Sequence, residues 1–116
     1  MKNLIRAVKA ISDETRIRIL KVLLERECCV CEVMQALNIS QSRASRNLSI
    51  LENVGFVKSR RDGPWIVYSI NEQSGNGYAA SLTEMLRNSL LNEDIVLQDR
   101  EGLSHAVRAG ARVIQK

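Results

Sequence analysis

The sequence predicts a mostly α-helical protein with one small β-hairpin, arranged as a winged helix-turn-helix. Three observations support this fold. Two amphipathic segments are joined by a tight turn at 38–40, a basic, polar-faced helix follows the turn, and a β-rich segment comes directly after that helix. Apolar residues make up 45% of the 116 residues, which is enough for a packed core.

Apolar spacing defines the helices in chain order. Residues 3–11 form a first helix whose apolar side chains lie along one side. Ser12 is the predicted N-cap of a second helix, and the acidic residues after it suit the positive end of a helix. A short helix precedes the turn, and Ser40 caps a longer helix over 41–54 that Gly55 ends.

The segment after that helix predicts the wing. Residues 56–61 and 65–70 are rich in β-forming residues with rough alternation, and Asp62-Gly63 between them is a turn signal. A further amphipathic helix is predicted over 78–91.

Charge and hydropathy predict a cytoplasmic protein that does not enter membranes. The net charge is +4 and the pI is about 9.3, which fits a nucleic-acid partner. No apolar run approaches the roughly 18 to 20 residues of a membrane span, and charges interrupt the apolar residues at the start of the chain. In the reducing cytosol, the odd number of cysteines is expected to stay free.

The polar face of the helix at 41–54 predicts base contacts with double-stranded DNA. Arginine pairs with guanine, glutamine with adenine, and serine with several groups in the major groove. The candidate base-reading residues are Gln41, Ser42, Arg43, Ser45 and Arg46. A solvated helix face is the alternative, and the hairpin that follows favours the DNA interpretation. The hairpin residues predicted to bind phosphates are Lys58, Arg60 and Arg61.

The cysteines crowd into four positions, as Cys28, Cys29 and Cys31. Ordinary packing of small apolar residues is one explanation. A reversible redox or persulfide switch is a second. The third, which we favour, is capture of a soft metal or metalloid ion, because thiolates select such ions. A structural Cys28–Cys29 disulfide is disfavoured, since adjacent Cα atoms lie only about 3.8 Å apart.

Helix geometry constrains any site at these thiols. In a regular helix Cys29 and Cys31 would lie about 200° apart, so that one ion could not bind both. The prediction is therefore a site at a frayed helix start, or binding that unwinds this start. Such a change would distort the support of the base-reading helix and lower DNA affinity. The helix start is also expected to lower the pKa of the thiols.

Four motifs occur in order between residues 4 and 71. They are Ser-Asp-x-Thr-Arg at 12–16, Cys-x-Cys at 29–31, Ser-Gln-x-x-x-Ser-Arg at 40–46 and Arg-Arg-x-Gly at 60–63. With these motifs the chain resembles the ArsR/SmtB winged-helix repressors. The resemblance implies a cytosolic homodimer that binds a near-palindromic operator and releases it when an inducer binds.

The resemblance also implies a division of the chain. Family dimers form mainly through the first and last core helices, which correspond here to 2–11 and about 78–91. Residues 1–91 are then a winged-helix DNA-binding and dimerisation domain, and residues 92–116 are a C-terminal extension. One more helix is predicted in that extension, because its apolar residues recur at helical spacing, at Leu103, Val107, Ala111 and Ile114.

For the inducer, the resemblance implies As(III) or Sb(III), with another thiophilic ion such as Cd(II) as an alternative. Cys-Val-Cys marks the arsenic-responsive branch of the family, and Cys29 and Cys31 match it. The family's third cysteine corresponds to Met34 here, and Cys28 is an extra thiol. The predicted ligands are therefore Cys28, Cys29 and Cys31.

Three other functions compete with that of a metalloid-responsive repressor. One is a protein-interaction module with no DNA role, which an absence of salt-sensitive DNA binding would favour. A thiol redox or persulfide sensor of the same fold is the alternative within the family. A thiol enzyme is disfavoured, because the chain has neither a cysteine beside a phosphate-like loop nor a Cys-x-x-Cys after a strand. The only histidine, His105, does not supply the Asp and His pairs of the family's zinc sensors.

Overall fold

The computed structural model describes residues 1–108, which form helices around a three-stranded sheet. The predicted tail positions Ala111 and Ile114 lie outside the described residues. The elements in chain order are α1 Lys2–Ile11, α2 Glu14–Glu25, β1 Cys28–Cys29, α3 Val30–Leu37, α4 Gln41–Val54, β2 Val57–Asp62, β3 Trp65–Ile70, α5 Gly77–Arg87 and α6 Asp94–His105. The predicted winged helix-turn-helix is confirmed: α3 and α4 enclose the turn, and β2 and β3 form the wing.

The helix boundaries follow the predicted capping with one correction. Ser40 caps α4, because its hydroxyl oxygen accepts a hydrogen bond from Arg43 N at 3.2 Å. The predicted N-cap at Ser12 is wrong, since Asp13 caps α2 by accepting from Arg16 N at 3.0 Å. Ser12 instead closes α1, where its hydroxyl donates to Lys9 O at 2.8 Å. The carboxylate of Asp13 is the better acceptor for a backbone N–H at the positive end of a helix.

The sheet contains a strand that the sequence pattern did not predict. Its strand order is β1-β3-β2, and both pairings are antiparallel. β1 has only two residues, too few for any alternation to be visible, and it pairs Cys28 with Tyr68 and Cys29 with Val67. The cysteine segment is thereby hydrogen-bonded directly to the wing.

The core is aliphatic and is centred on α2 and α4. Ile19 and Leu20 of α2 and Leu48 and Leu51 of α4 are fully buried. Phe56, just after the glycine that ends α4, is the largest fully buried side chain of the described residues. This packing holds the polar face of α4 outward, because the apolar stripe lies on the opposite side of the helix.

α6 packs closely against α3. A Cβ atom at Gly102 would lie 2.7 Å from Ala36 O, so only glycine permits this approach of the two helices. Arg18 of α2 fixes α6 from the other side through two hydrogen bonds of 2.8 Å to the carboxylate of Asp99, and it also donates to Leu37 O at 3.0 Å. α6 is therefore part of the same packed unit as α2 and α3.

α1 and α5 lie in contact and leave large apolar side chains exposed. α1 buries its two alanines, Ala7 and Ala10, against the core. A buried Lys21 ties α5 to α2 by donating to Leu86 O at 2.8 Å and Ser89 O at 2.7 Å, and burial lowers its pKa. The exposed large apolar residues are Leu4, Ile5 and Val8 of α1, Tyr78 and Met85 of α5, and Leu90 and Leu91 just after α5. None of the helices within residues 1–108 combines the length and apolar character that crossing a membrane requires.

Candidate nucleic-acid interface and thiol site

The exposed face of α4 presents the predicted base-reading residues together. Gln41, Ser42, Arg43 and Arg46 are exposed, and Ser45 is half-buried. All lie in the first two turns of α4, directly after the turn from α3. Such a helix end can enter a major groove with several donors and acceptors available to base edges.

One residue of the polar face is not on the surface. By its sequence position Asn47 belongs with the polar side chains of α4, but it is buried. Its Oδ1 accepts from Arg16 Nη1 at 2.9 Å, and its Nδ2 donates to Arg43 O at 2.9 Å. Arg16 also donates to Ala10 O at 2.6 Å. The pair therefore fixes α4 to both α1 and α2.

Arg43 has a partner that the sequence did not indicate. Its Nη2 donates to the hydroxyl of Thr15 at 2.7 Å, although the side chain as a whole remains exposed. Thr15 and Arg16 belong to the Ser-Asp-x-Thr-Arg motif, and both serve to position α4. That motif could have signalled this role, but the partners lie 28 and 31 residues further along the chain.

The wing carries its three predicted phosphate contacts on the surface. Lys58, Arg60 and Arg61 are all exposed. Arg60 is paired with Glu27, which lies next to the cysteine segment. Asp62 at the wing turn accepts a hydrogen bond from Arg108 Nη1 at 3.0 Å. The wing is thus charged and is tied to its surroundings on both sides.

The three cysteines occupy three different structural positions. Cys28 lies in β1 and joins the main core, where it is fully buried. Cys29 is the N-cap of α3 with extended backbone angles, φ −78° and ψ 170°, and Cys31 lies in the first turn of that helix. Because successive strand residues point to opposite faces, the side chains of Cys28 and Cys29 are directed apart.

Of Cys29 and Cys31 only Cys31 lies in regular helix, so the separation of about 200° that a helix would impose on the two does not apply. α3 begins at Val30, so the extended residue Cys29 is free to direct its sulfur toward Cys31. Burial, together with a hydrogen bond to the Cys31 side chain, raises the pKa of Cys29 to about 12. Cys29 therefore need not leave a helix to approach Cys31.

The expected lowering of the thiol pKa is wrong at Cys28 and Cys29. Burial raises the pKa of Cys28 to about 12 as well, against the opposing charge of Arg26. Removal of a thiolate from water outweighs the helix dipole at these positions. The thiols of Cys28 and Cys29 are therefore protonated near neutral pH, and an ion that binds them must displace their protons.

Glu32 organises the thiol segment. It forms a capping box with Cys29, in which its carboxylate Oε1 accepts from Cys29 N at 2.9 Å and its own N–H faces the cysteine sulfur. Arg26 donates to Oε2 at 2.7 Å and Arg108 donates to Oε1 at 3.0 Å. Burial opposes ionisation, but these three hydrogen bonds together lower the pKa of Glu32. The sequence did not indicate Arg108, whose partner Glu32 lies 76 residues away.

A complete metal site is not preassembled in the part of the chain that the structure describes. No group of three or more His, Cys, Asp and Glu side chains within residues 1–108 is placed to hold a metal ion. Cys29 and Cys31 offer two soft donors side by side, while Cys28 lies on the other face of β1. The donor set suits a thiophilic ion bound first by two sulfurs.

A helix with an exposed polar face after a tight turn, followed by a charged hairpin, defines the winged helix-turn-helix class of fold. Residues 13–59 match the family described as bacterial regulatory protein, arsR family. The arsenical resistance operon repressor of Bacillus subtilis is 31% identical over 70 residues, which cover 60% of this chain and 67% of that protein. The chain belongs to the ArsR family of transcriptional regulators.

Other comparisons agree with this assignment. A cadmium resistance regulatory protein homolog (CadC) of Staphylococcus aureus is 42% identical over 66 residues, covering 56% of this chain and 54% of that protein. The chain spans about half the length of the curated relatives that it matches most strongly. A homodimeric winged helix-turn-helix domain from Mycobacterium bovis, a possible ArsR-family regulator, has a TM-score of 0.64 and 28% identity, covering 74% of this chain and 76% of that one.

Proposed function

We propose that this protein is a cytoplasmic, metalloid-responsive repressor that binds double-stranded operator DNA as a homodimer. As(III) or Sb(III) is the proposed inducer, with Cd(II) as a further thiophilic candidate. The observation that carries the proposal is the Cys29–Cys31 thiol pair at the N-cap of α3, the helix that leads into the turn before α4. Two relatives named as a cadmium resistance regulatory protein homolog and an arsenical resistance operon repressor support the same class of inducer.

The homodimer is supported by the exposed apolar face of α1 and α5. Large apolar side chains on neighbouring helices are typical of a surface that another protein covers. Leu4, Ile5 and Val8 of α1 and Tyr78 and Met85 of α5 are exposed, so a second copy can bury them in an interface of twofold symmetry. This places two α4 helices in one particle, as a near-palindromic operator requires.

The capture step uses the thiols of this chain. Arsenite enters as As(OH)3, two thiols replace two of its hydroxides to form two As–S bonds, and two water molecules leave with the thiol protons. The sulfur of Cys29 also faces the Glu32 N–H in the capping box. An ion on that sulfur weakens the cap, shifts the start of α3 and disturbs the turn that sets α4. Cys28 completes the set of three proposed ligands when β1 separates from β3.

One titration tests the proposed function. Complexes of the protein with a palindromic operator are titrated with arsenite, antimonite, cadmium, zinc and a peroxide oxidant, and DNA release is followed by fluorescence anisotropy. Release by arsenite or antimonite at concentrations stoichiometric with the protein is expected. Absence of operator binding, or a complex that no thiophilic ion dissociates, would contradict the proposal.

A redox sensor is the second candidate function, and the position of Cys29 and Cys31 two residues apart at the start of one helix is the observation that favours it. Oxidation of the two thiols to a disulfide by peroxide would alter the same helix start. The oxidant arm of the titration separates the two functions: release by peroxide without release by arsenite selects the redox sensor.

The DNA surface makes a separable prediction. Arg46→Ala is expected to weaken operator binding by about 1–3 kcal/mol and to relax preference at one base pair, because Arg46 is free to contact a base edge. Arg61→Ala is expected to weaken binding to all DNA sequences alike. It should also reduce the slope of log K against log salt concentration by about 0.9 for each phosphate that the variant no longer binds. Binding of operator and mutated operators across a salt series measures both. Arg100→Ala, on the exposed side of α6, is the control, and equal effects of all three substitutions would contradict the assignment.

A further inference from the structure

We propose that Arg108 is the positioning residue that couples the thiol pair to the wing. This inference rests on the proposed function and adds to it a second route from ligand to DNA, independent of the turn before α4. It follows from one bridge of side chains that connects Cys29, through Glu32 and Arg108, to Asp62 at the wing turn.

The sheet places the thiol and the wing on one surface. Cys29 pairs with Val67, and Val67 pairs with Arg60, so these three residues form one rung across the three strands. Residues directly opposite each other in antiparallel strands direct their side chains to the same face. Asp62 lies two residues beyond Arg60 and therefore belongs to that face as well. Cys29 is thus one strand away from a predicted phosphate contact.

The segment after α6 is held across this region by paired hydrogen bonds. Gln35 of α3 accepts from Val107 N at 3.1 Å and donates to Val107 O at 2.8 Å. Arg18 and Asp99 anchor α6 itself, as described above. These contacts hold Arg108 in a fixed position beside the start of α3.

Arg108 then spans two carboxylates from different parts of the fold. Its Nε donates to Glu32 Oε1 at 3.0 Å, and its Nη1 donates to Asp62 Oδ2 at 3.0 Å. The same Glu32 oxygen accepts from Cys29 N at 2.9 Å. The chain of contacts from the Cys29 backbone to the wing turn contains only hydrogen bonds of about 3 Å. A guanidinium is suited to this task because its rigid fork addresses two acceptors at once.

Ligand binding at Cys29 breaks this bridge at its first link. When the cap of α3 is disturbed, Glu32 loses its hydrogen bond from Cys29 N and moves with the helix start. Arg108 cannot then keep both carboxylates, and Asp62 is released. The wing then changes its position relative to α4. Because α4 and the wing must contact the same operator together, this change lowers the affinity for DNA.

The test compares Arg108→Gln, Arg108→Lys and Asp62→Asn with the wild type and with Arg100→Gln. Arg100→Gln removes the same charge from an exposed pair with Glu25 and leaves the bridge intact. Arg108→Lys keeps the charge, but a single ammonium cannot replace the two-armed contact. The first measurement is the ratio of operator Kd with and without saturating arsenite. The second is pulsed labelling with N-ethylmaleimide, with labelled Cys28 and Cys29 quantified by mass spectrometry.

The bridge predicts that the Kd ratio falls by about 2- to 30-fold in all three bridge variants and stays at the wild-type value in Arg100→Gln. Combining Arg108→Gln with Asp62→Asn is expected to lower the ratio no further, because both act on one contact. Labelling of Cys29 is expected to become faster in Arg108→Gln, while labelling of Cys28 in the core is unchanged. A general loss of stability would accelerate both cysteines and would overturn the proposal.

The outcomes also separate this inference from the proposed function. If arsenite releases the wild type and the bridge variants with the same ratio, the bridge is wrong and the proposed function stands. If arsenite does not release the wild type, the proposed function is wrong, and labelling alone decides on the bridge. Equal labelling rates of Cys29 in the wild type and Arg108→Gln then overturn the proposed bridge. Faster labelling of Cys29 without faster labelling of Cys28 supports it.

Discussion

Cys29→Ser and Cys31→Ser are each expected to abolish release of operator DNA by arsenite, whereas Cys28→Ser is expected to weaken it only in part. In the wild type, arsenite should raise the operator Kd by about 5- to 150-fold, the usual range for coupling between two sites. A serine at 29 or 31 leaves one thiol of the pair, and a single As–S bond does not hold the metalloid against water. Cys28 lies on the other face of β1, so its removal leaves the first two bonds possible.

Anisotropy titrations of each variant on the same operator measure these effects, and circular dichroism confirms that the fold is kept. The double variant Cys29→Ser with Cys31→Ser should behave as each single variant does, because both residues bind one ion. Full loss in Cys28→Ser with retention in Cys31→Ser would contradict the pair described here. That result would show that β1 separates from β3 before the ion is bound.

The second large effect is expected on stability. Arg18→Ala should lower the free energy of unfolding by about 3–5 kcal/mol, because it leaves the carboxylate of Asp99 buried without its partner. The two side chains are 13% and 5% exposed, so water cannot take the place of the guanidinium. Urea unfolding at a fixed protomer concentration measures the change, since dimer formation makes stability depend on concentration.

Arg100→Ala is the matched control for that prediction. Its pair with Glu25 is exposed, and loss of such a pair costs less than about 1 kcal/mol. Arg18→Ala together with Asp99→Leu should recover part of the stability, because the unpaired charge is then removed. A cost in Arg18→Ala no larger than that of Arg100→Ala would show that α6 does not depend on this ion pair.

Much of the DNA-reading unit could be predicted from local pattern. The stripe of Ala44, Leu48 and Leu51, the cap at Ser40 and the stop at Gly55 lie within one continuous segment. Each is decided by neighbours three or four residues away, and the fold kept all of them. The hairpin was predicted for the same reason, because its turn and its alternating arms are adjacent in the chain.

The thiol region shows where local pattern fails. The helix start predicted at the cysteines led to an expected lowering of the thiol pKa values, whereas burial raises the pKa of Cys28 and Cys29. Local pattern did not indicate β1, a strand of two residues that forms because β3 offers it a partner about forty residues later. The burial that raises the thiol pKa values likewise comes from distant packing.

By itself, the sequence determined the order of helices, turn and wing, the polar face of α4 and the crowding of soft donors before α3. These properties depend on residue types at short spacing, and local hydrogen bonds and apolar periodicity suffice to set them. Tertiary packing set Cys29 in an extended N-cap, drew Cys28 into the core and joined Glu32 to Asp62 through Arg108. Those contacts unite residues up to 76 positions apart, and the packing of α6 and the wing sheet, which no local pattern encodes, brings them within reach.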